Sequence, residues 1–154
     1  MTPELLLELS RYPLFPRTAA DLIRIAGLDA AAALIMAWSG QEWPVPVCVG
    51  GGTAQGRRRY AQLSEIAGEN AAKRIVAQYG GGMLIVPNLK EVRHQRDQDL
   101  IRAEFDRLTM RNGYSSRDAV FELGIKYGYA GRTIEKIIKR PDAELVEVVQ
   151  GALF

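Results

Sequence analysis

The sequence predicts a mainly α-helical protein with short β-strands, built as a tandem helix-helix-strand repeat followed by a C-terminal helix-turn-helix. Three observations carry that expectation. Two stretches 41 residues apart align without a gap, Ala20 to Pro46 with Ala61 to Pro87. Apolar residues in Ser116 to Arg140 recur at helical spacings on either side of a glycine turn. Lys and Arg gather on that same C-terminal stretch. Residues 1 to 56 hold three Lys/Arg against five Asp/Glu, a net of −2; residues 111 to 140 hold seven against three, a net of +4.

Taken in order, Leu5 to Leu9 is a short apolar helix or docking segment, and Pro13 and Pro16 make Tyr12 to Arg17 a loop. The repeat follows. Leu22 matches Leu63, Ile25-Ala26-Gly27 matches Ile66-Ala67-Gly68, Ala30-Ala31 matches Ala71-Ala72, Gly40 matches Gly81 and Pro46 matches Pro87. A period near forty residues indicates a repeated structural unit. Each copy reads as helix, glycine break, helix, glycine turn, short strand. Asp29 and Asn70 are placed to cap the second helices. Trp43 to Val49 and Met83 to Val86 are apolar and β-favouring, although Pro44 and Pro46 confine the first to an edge or an irregular strand. Neither unit can bury its apolar face alone, so the copies should pack on each other.

Between the copies, Gly50 to Arg59 has the Gly spacing of a phosphate-binding loop. Arg57 and Arg58 stand where that loop needs Lys and Ser/Thr, so the stretch reads as a flexible linker. The expected domains are thus a repeat domain over 1–87, with copies at about 20–46 and 61–87, a basic linker over 88–96, and a helix-turn-helix domain over 97–154. The linker carries Lys90, Arg93, His94 and Arg96. Leu100, Ile101, Phe105 and Leu108 follow helical spacing, so Asp97 to Met110 should be the helix supporting the pair, ended by Asn112-Gly113.

In the pair itself, Val120, Leu123 and Tyr127 face inward from the first helix. Gly128 turns the chain, and Ile134, Ile137 and Ile138 face inward from the second. Gly124 lies where the two helices should touch. Arg132, Lys136 and Lys139 fall at i, i+4 and i+7 on the opposite face, as a helix entering the major groove of double-stranded DNA requires. Arg132 is the candidate for a bidentate contact to guanine. Thr133 and Glu135 lie beside the bases, and Arg117, Lys126 and Arg140 suit phosphates. Arg93 on the linker can lie along the backbone or groove. The plain alternative is a helical hairpin with a solvated basic face. Glu144 to Phe154 is amphipathic, either closing the small domain or meeting a partner.

Other function classes lose ground on composition. Cys48 is the only cysteine and His94 the only histidine, so neither a cysteine zinc cluster nor a histidine-based metal site can be assembled, and no cofactor or metal is expected. His94 reads as a surface residue. No nucleophile-plus-base or paired-carboxylate motif suggests an enzyme. The longest apolar run, Ala30 to Trp38, is too short to span a bilayer, and no signal peptide is readable, which fits a cytoplasmic protein.

The run from Leu63 to Pro141 resembles the Mor/C family of middle- and late-operon transcription activators of Mu-like phages. The residues that carry the likeness are LSEIAGENAAKRIVAQYGGGMLIVP, then IRAEF, then ELGIKYGYAGRTIEKIIKR. The resemblance implies a dimer formed by a helical region with a short β-strand, a linker, and a helix-turn-helix. It places Arg132, Thr133 and Lys136 on the recognition helix and the dimer strand and linker in Gly80 to Pro87. It also implies RNA polymerase as a partner and a bacterial host cell. The departure is that the dimerising unit occurs twice in this chain. The two copies either mimic a family dimer within one chain or leave the protein to self-associate. A competing reading is a non-activating interaction protein that pairs with, or antagonises, a Mor-like regulator through the repeat domain.

Overall fold

The computed structural model describes residues 1–146. It is mainly α-helical with two short strands. The chain divides into two compact units. One comprises Met1–Arg11 and Phe15–Leu89, joined by Val146; the other comprises Tyr12–Leu14 and Lys90–Leu145.

In the first unit, α1 (Pro3–Leu9) begins at Thr2, whose side-chain oxygen accepts from the Leu5 N–H. It packs on α3 and buries Leu6 and Leu9 completely. Helices α2 (Arg17–Ala26) and α3 (Leu28–Trp38) meet at Gly27, and α4 (Ala54–Ala67) and α5 (Glu69–Tyr79) meet at Gly68. These two glycines share one conformation, φ 90° with ψ 163° and φ 86° with ψ 157°, which side-chain-bearing residues avoid. Each ends one helix and starts the next. Asp29 and Asn70 therefore sit inside the helices they were expected to cap, and no side chain caps either helix start.

Strands β1 (Glu42–Pro44) and β2 (Met83–Ile85) pair antiparallel, with Trp43 opposite Leu84. The first strand is shorter than the Trp43 to Val49 expectation. Pro44 closes the regular strand, Val45 still exchanges backbone bonds with Gly81 and Gly82, and Pro46, which has no N–H, offers the ladder no further donor. Trp38 stacks on Trp43 with ring centroids 5.0 Å apart. Besides each consecutive pair, α2 packs on α5 and α3 on α4. Leu22, Ile23, Leu34, Leu63, Ile75, Leu84 and Val86 fill the space between them.

The flexible linker expected over Gly50 to Arg59 is largely helical. Thr53 caps α4 by accepting from the Gly56 N–H at 3.0 Å, and Arg57 to Arg59 lie within the helix. Gly51 and Gly56 touch backbone to backbone: a Cβ on Gly51 would lie 2.2 Å from the Gly56 carbonyl carbon. Glycine serves close approach here, not flexibility.

The second unit opens with α6 (Lys90–Asp106), which continues into a π-turn at Arg107–Arg111. The basic linker expected over 88–96 is therefore helix from Lys90 onward, one element with the supporting helix. After Pro87 no Gly or Pro interrupts the segment, and Val92 and Ile101 anchor it by burial. Leu14 of the short Tyr12–Leu14 stretch donates its N–H to Gln95 Oε1 at 3.1 Å. Helices α7 (Ser116–Tyr127) and α8 (Gly131–Ile138) complete the unit. The amphipathic segment expected over Glu144 to Phe154 lies outside the described residues from 147 on, and Glu144 to Val146 form no regular element.

Candidate nucleic-acid interface

The geometry of the helix pair follows from a few residues. Ser115 caps α7 by accepting from the Asp118 N–H at 3.1 Å. Gly128 ends it in the left-handed conformation, φ 75° and ψ 30°. The N–H groups of Gly128 and Tyr129 both return to the Gly124 carbonyl at 3.0 Å. A Cβ on Gly124 would stand 2.9 Å from the Tyr129 carbonyl oxygen. The close approach that requires glycine is thus with the turn itself, not with the body of the next helix.

Ile101 and Leu108 from the supporting segment, Ala119 and Leu123 from α7, and Ile134 and Ile137 from α8 form one buried cluster. Phe105, Val120, Tyr127, Tyr129 and Ile138 pack around it half-buried. With Ile134 and Ile137 inward, α8 turns Arg132, Glu135 and Lys136 to solvent, Lys139 is exposed at its C-terminal cap, and Thr133 is half-buried. Arg117 is exposed in the first turn of α7, Arg140 just beyond α8, and Arg93 in the second turn of α6. Arg132, Lys136, Lys139, Arg117, Arg140 and Arg93 form no ion pair among the described residues.

Lys126 differs from these. Its ammonium is engaged by Glu104, which also accepts from the Tyr127 hydroxyl at 2.9 Å and from Arg107 at 3.2 Å. Burial pushes the Glu104 carboxyl up, but the donors Lys126, Tyr127 and Arg107 outweigh it and hold the group below the ordinary carboxylate range. Tyr127 is pushed up to about 12, by burial first and by the Glu104 carboxylate second. Burial, and after it Asp97, also raises Tyr129, whose ring meets His94 edge-on with centroids 5.3 Å apart.

Arg102 anchors the far end of α8. It donates to the Ile137 carbonyl at 3.0 Å and to Asp142 at 2.7 Å, and it pairs with Asp99. Asp99 in turn accepts from the Ala143 N–H at 3.1 Å. Sequence reading missed both Glu104 and Arg102. Their signal was the alternation of Asp, Glu and Arg along Asp97 to Arg107, which reads as a solvated face until α7 and α8 close over it.

A basic helix seated across its neighbour over a left-handed glycine turn, with a third helix beneath, is the build of a helix-turn-helix DNA-binding protein. The family model of the Mor transcription activator family matches residues 53–153, more than half of the chain, and the chain belongs to that family. It is accordingly a DNA-binding transcription regulator, and the family is one of transcription activators, not of enzymes. No curated protein and no solved structure matches the chain. Among the described residues no helix is long and apolar enough to cross a membrane.

Proposed function

We propose that the protein is a sequence-specific activator of the phage or prophage kind, acting at a promoter in the bacterial cytoplasm, with α8 as its reading helix. The observation that carries the reading is the division of α8: Ile134 and Ile137 buried, Arg132 and Lys136 exposed on the other side, with Lys139 exposed at the cap. In this reading Arg132, at the helix start, is nearest the base edges and takes the bidentate contact to guanine. Lys136 reads or flanks the next position, with Thr133 and Glu135 beside it. Lys139, Arg140, Arg117 and Arg93 hold phosphates and set the register on the duplex. Lys126 is left out of this set because Glu104 already engages its charge. RNA polymerase is the partner an activator at a promoter requires.

The test is binding to duplex covering the gene's own upstream region, with excess random competitor and a salt series, for the native protein and Arg132→Ala/Lys136→Ala. A competitor-resistant complex lost in the double variant supports base reading. A competitor-sensitive complex indifferent to the substitutions reduces α8 to a phosphate contact. No complex at all would move the function to pairing with another Mor-like chain through the repeat domain.

A further inference from the structure

We infer that the N-terminal copy of the repeat is a built-in partner: residues 17–46 occupy, within one chain, the surface that residues 54–87 would offer to a second copy of themselves, leaving a monomer with a single reading helix.

The backbone hydrogen bonds between the copies are reciprocal under the 41-residue shift. Gly40 N–H donates to Val86 C=O at 2.9 Å, and its mirror, Gly81 N–H, donates to Val45 C=O at 3.2 Å. Val86 N–H donates to Gln41 C=O at 2.9 Å, and its mirror, Val45 N–H, donates to Gly82 C=O at 2.9 Å. The strand register shares this symmetry, pairing Glu42 with Ile85 and Pro44 with Met83 about the self-equivalent pair Trp43 and Leu84. The helices repeat it, α2 on α5 and α3 on α4. Residue i meeting j while the equivalent of j meets the equivalent of i is the signature of an isologous two-fold contact, ordinarily made between two subunits.

The family match begins at residue 53, so it spans one copy and the helix-turn-helix and leaves the other copy outside. In the matched copy Leu63, Ile75, Leu84 and Val86 are at most 2% exposed. Helices α2 and α3 and strand β1 lie against that copy, so without them its apolar side would need another cover. The first copy has also drifted as a dedicated partner would. Arg74 donates to the Ile25 and Ala26 carbonyls at 2.9 Å, yet the position equivalent to Arg74 is Ala33, so the mirror bonds are absent. Ala32, buried, replaces the exposed Lys73 on the helix that α1 covers.

The pairing rests on the first unit alone. Its consequence for DNA, one half-site per protein rather than two related by symmetry, rests on the reading-helix proposal. Sedimentation of the full chain without DNA, over a wide concentration range, should give one species near 17.0 kDa. A chain carrying Cys48→Ser, Glu42→Cys and Ile85→Cys should, on oxidation, form its disulfide within the chain and run as a monomer on a non-reducing gel. A species of two chains in sedimentation, or a covalent dimer joined through positions 42 and 85, overturns the inference. On DNA, a mirror-related second half-site one helical turn away should add no affinity, and a gain there overturns it as well. If no DNA binds, the reading-helix proposal falls, and the mass and cross-link still decide the pairing.

Discussion

Glu104 accepts from three donors contributed by two elements, and its ionisation is part of the fold. Because its folded-state pKa is depressed, the stability it contributes is present above the ordinary carboxylate range and is lost as the pH falls through and below that range. Glu104→Gln should lower stability at neutral pH by about 1.5 kcal/mol, the size of a hydrogen bond to a charged group, and flatten the acid limb of stability against pH. Tyr127 has the opposite sign. Its pKa is raised, so its contribution is complete below about 10 and lost as the pH climbs toward about 12. Tyr127→Phe should cost about 1 kcal/mol in urea unfolding at pH 7 and abolish the alkaline step between those values. Gly27 and Gly68 make a matched control at the same scale. Alanine at either forces a side chain into a backbone region reserved for glycine and should cost roughly 1–3 kcal/mol in thermal unfolding, with no change at the other position.

At the scale of the element, α8 is held at both ends by groups outside itself, the Gly128 turn before it and Arg102 on the Ile137 carbonyl near its end. Arg102→Met should leave Asp99 half-buried without its guanidinium and destabilise the unit by on the order of 3 kcal/mol, read by urea unfolding. Arg140→Ala, in contrast, should leave stability unchanged. It should weaken DNA binding alike on all sequences and reduce the slope of log K against log salt by about 1.

The helices whose own periodicity announces them were legible. The Ile134, Ile137 and Ile138 spacing and the Gly128 turn placed α7 and α8 without help from the structure. The start of α6 was not legible, because a run of Lys, Arg, His and Gln reads as connector, and only the burial of Val92 reveals which side faces inward. The start of α4 was hidden for a related reason. Glycines signal flexibility in a sequence, whereas Gly51 and Gly56 serve a tight backbone contact visible only in three dimensions. The exposed face of α8 was legible in full. The clamps of Glu104 and Arg102 were not, since they depend on partners up to 40 residues away.

At the scale of the molecule, the charge balance that looks nearly neutral, +2 in all, is uneven along the chain: residues 1 to 56 carry a net of −2 and the helix-pair stretch, 111 to 140, a net of +4. Solubility follows the sum, and the attraction to DNA follows the local field. The two-fold arrangement of the repeat yields a prediction of its own. Ala33→Arg places a guanidinium at the mirror position of Arg74, within reach of the Ile66 and Ala67 carbonyls. It should raise stability by up to about 1 kcal/mol in urea unfolding if the symmetry is as close in side chains as in backbone.

Arg74 facing Ala33 has a meaning beyond stability. In a dimer of identical chains every substitution is written twice, once on each side of the axis, and a change that suits one side must be tolerated by the other. A gene carrying both halves in tandem is released from that constraint. One half can keep its arginine and its exposed lysine while the other turns apolar to receive α1. Asymmetry of this sort is open only to a chain that has become its own neighbour.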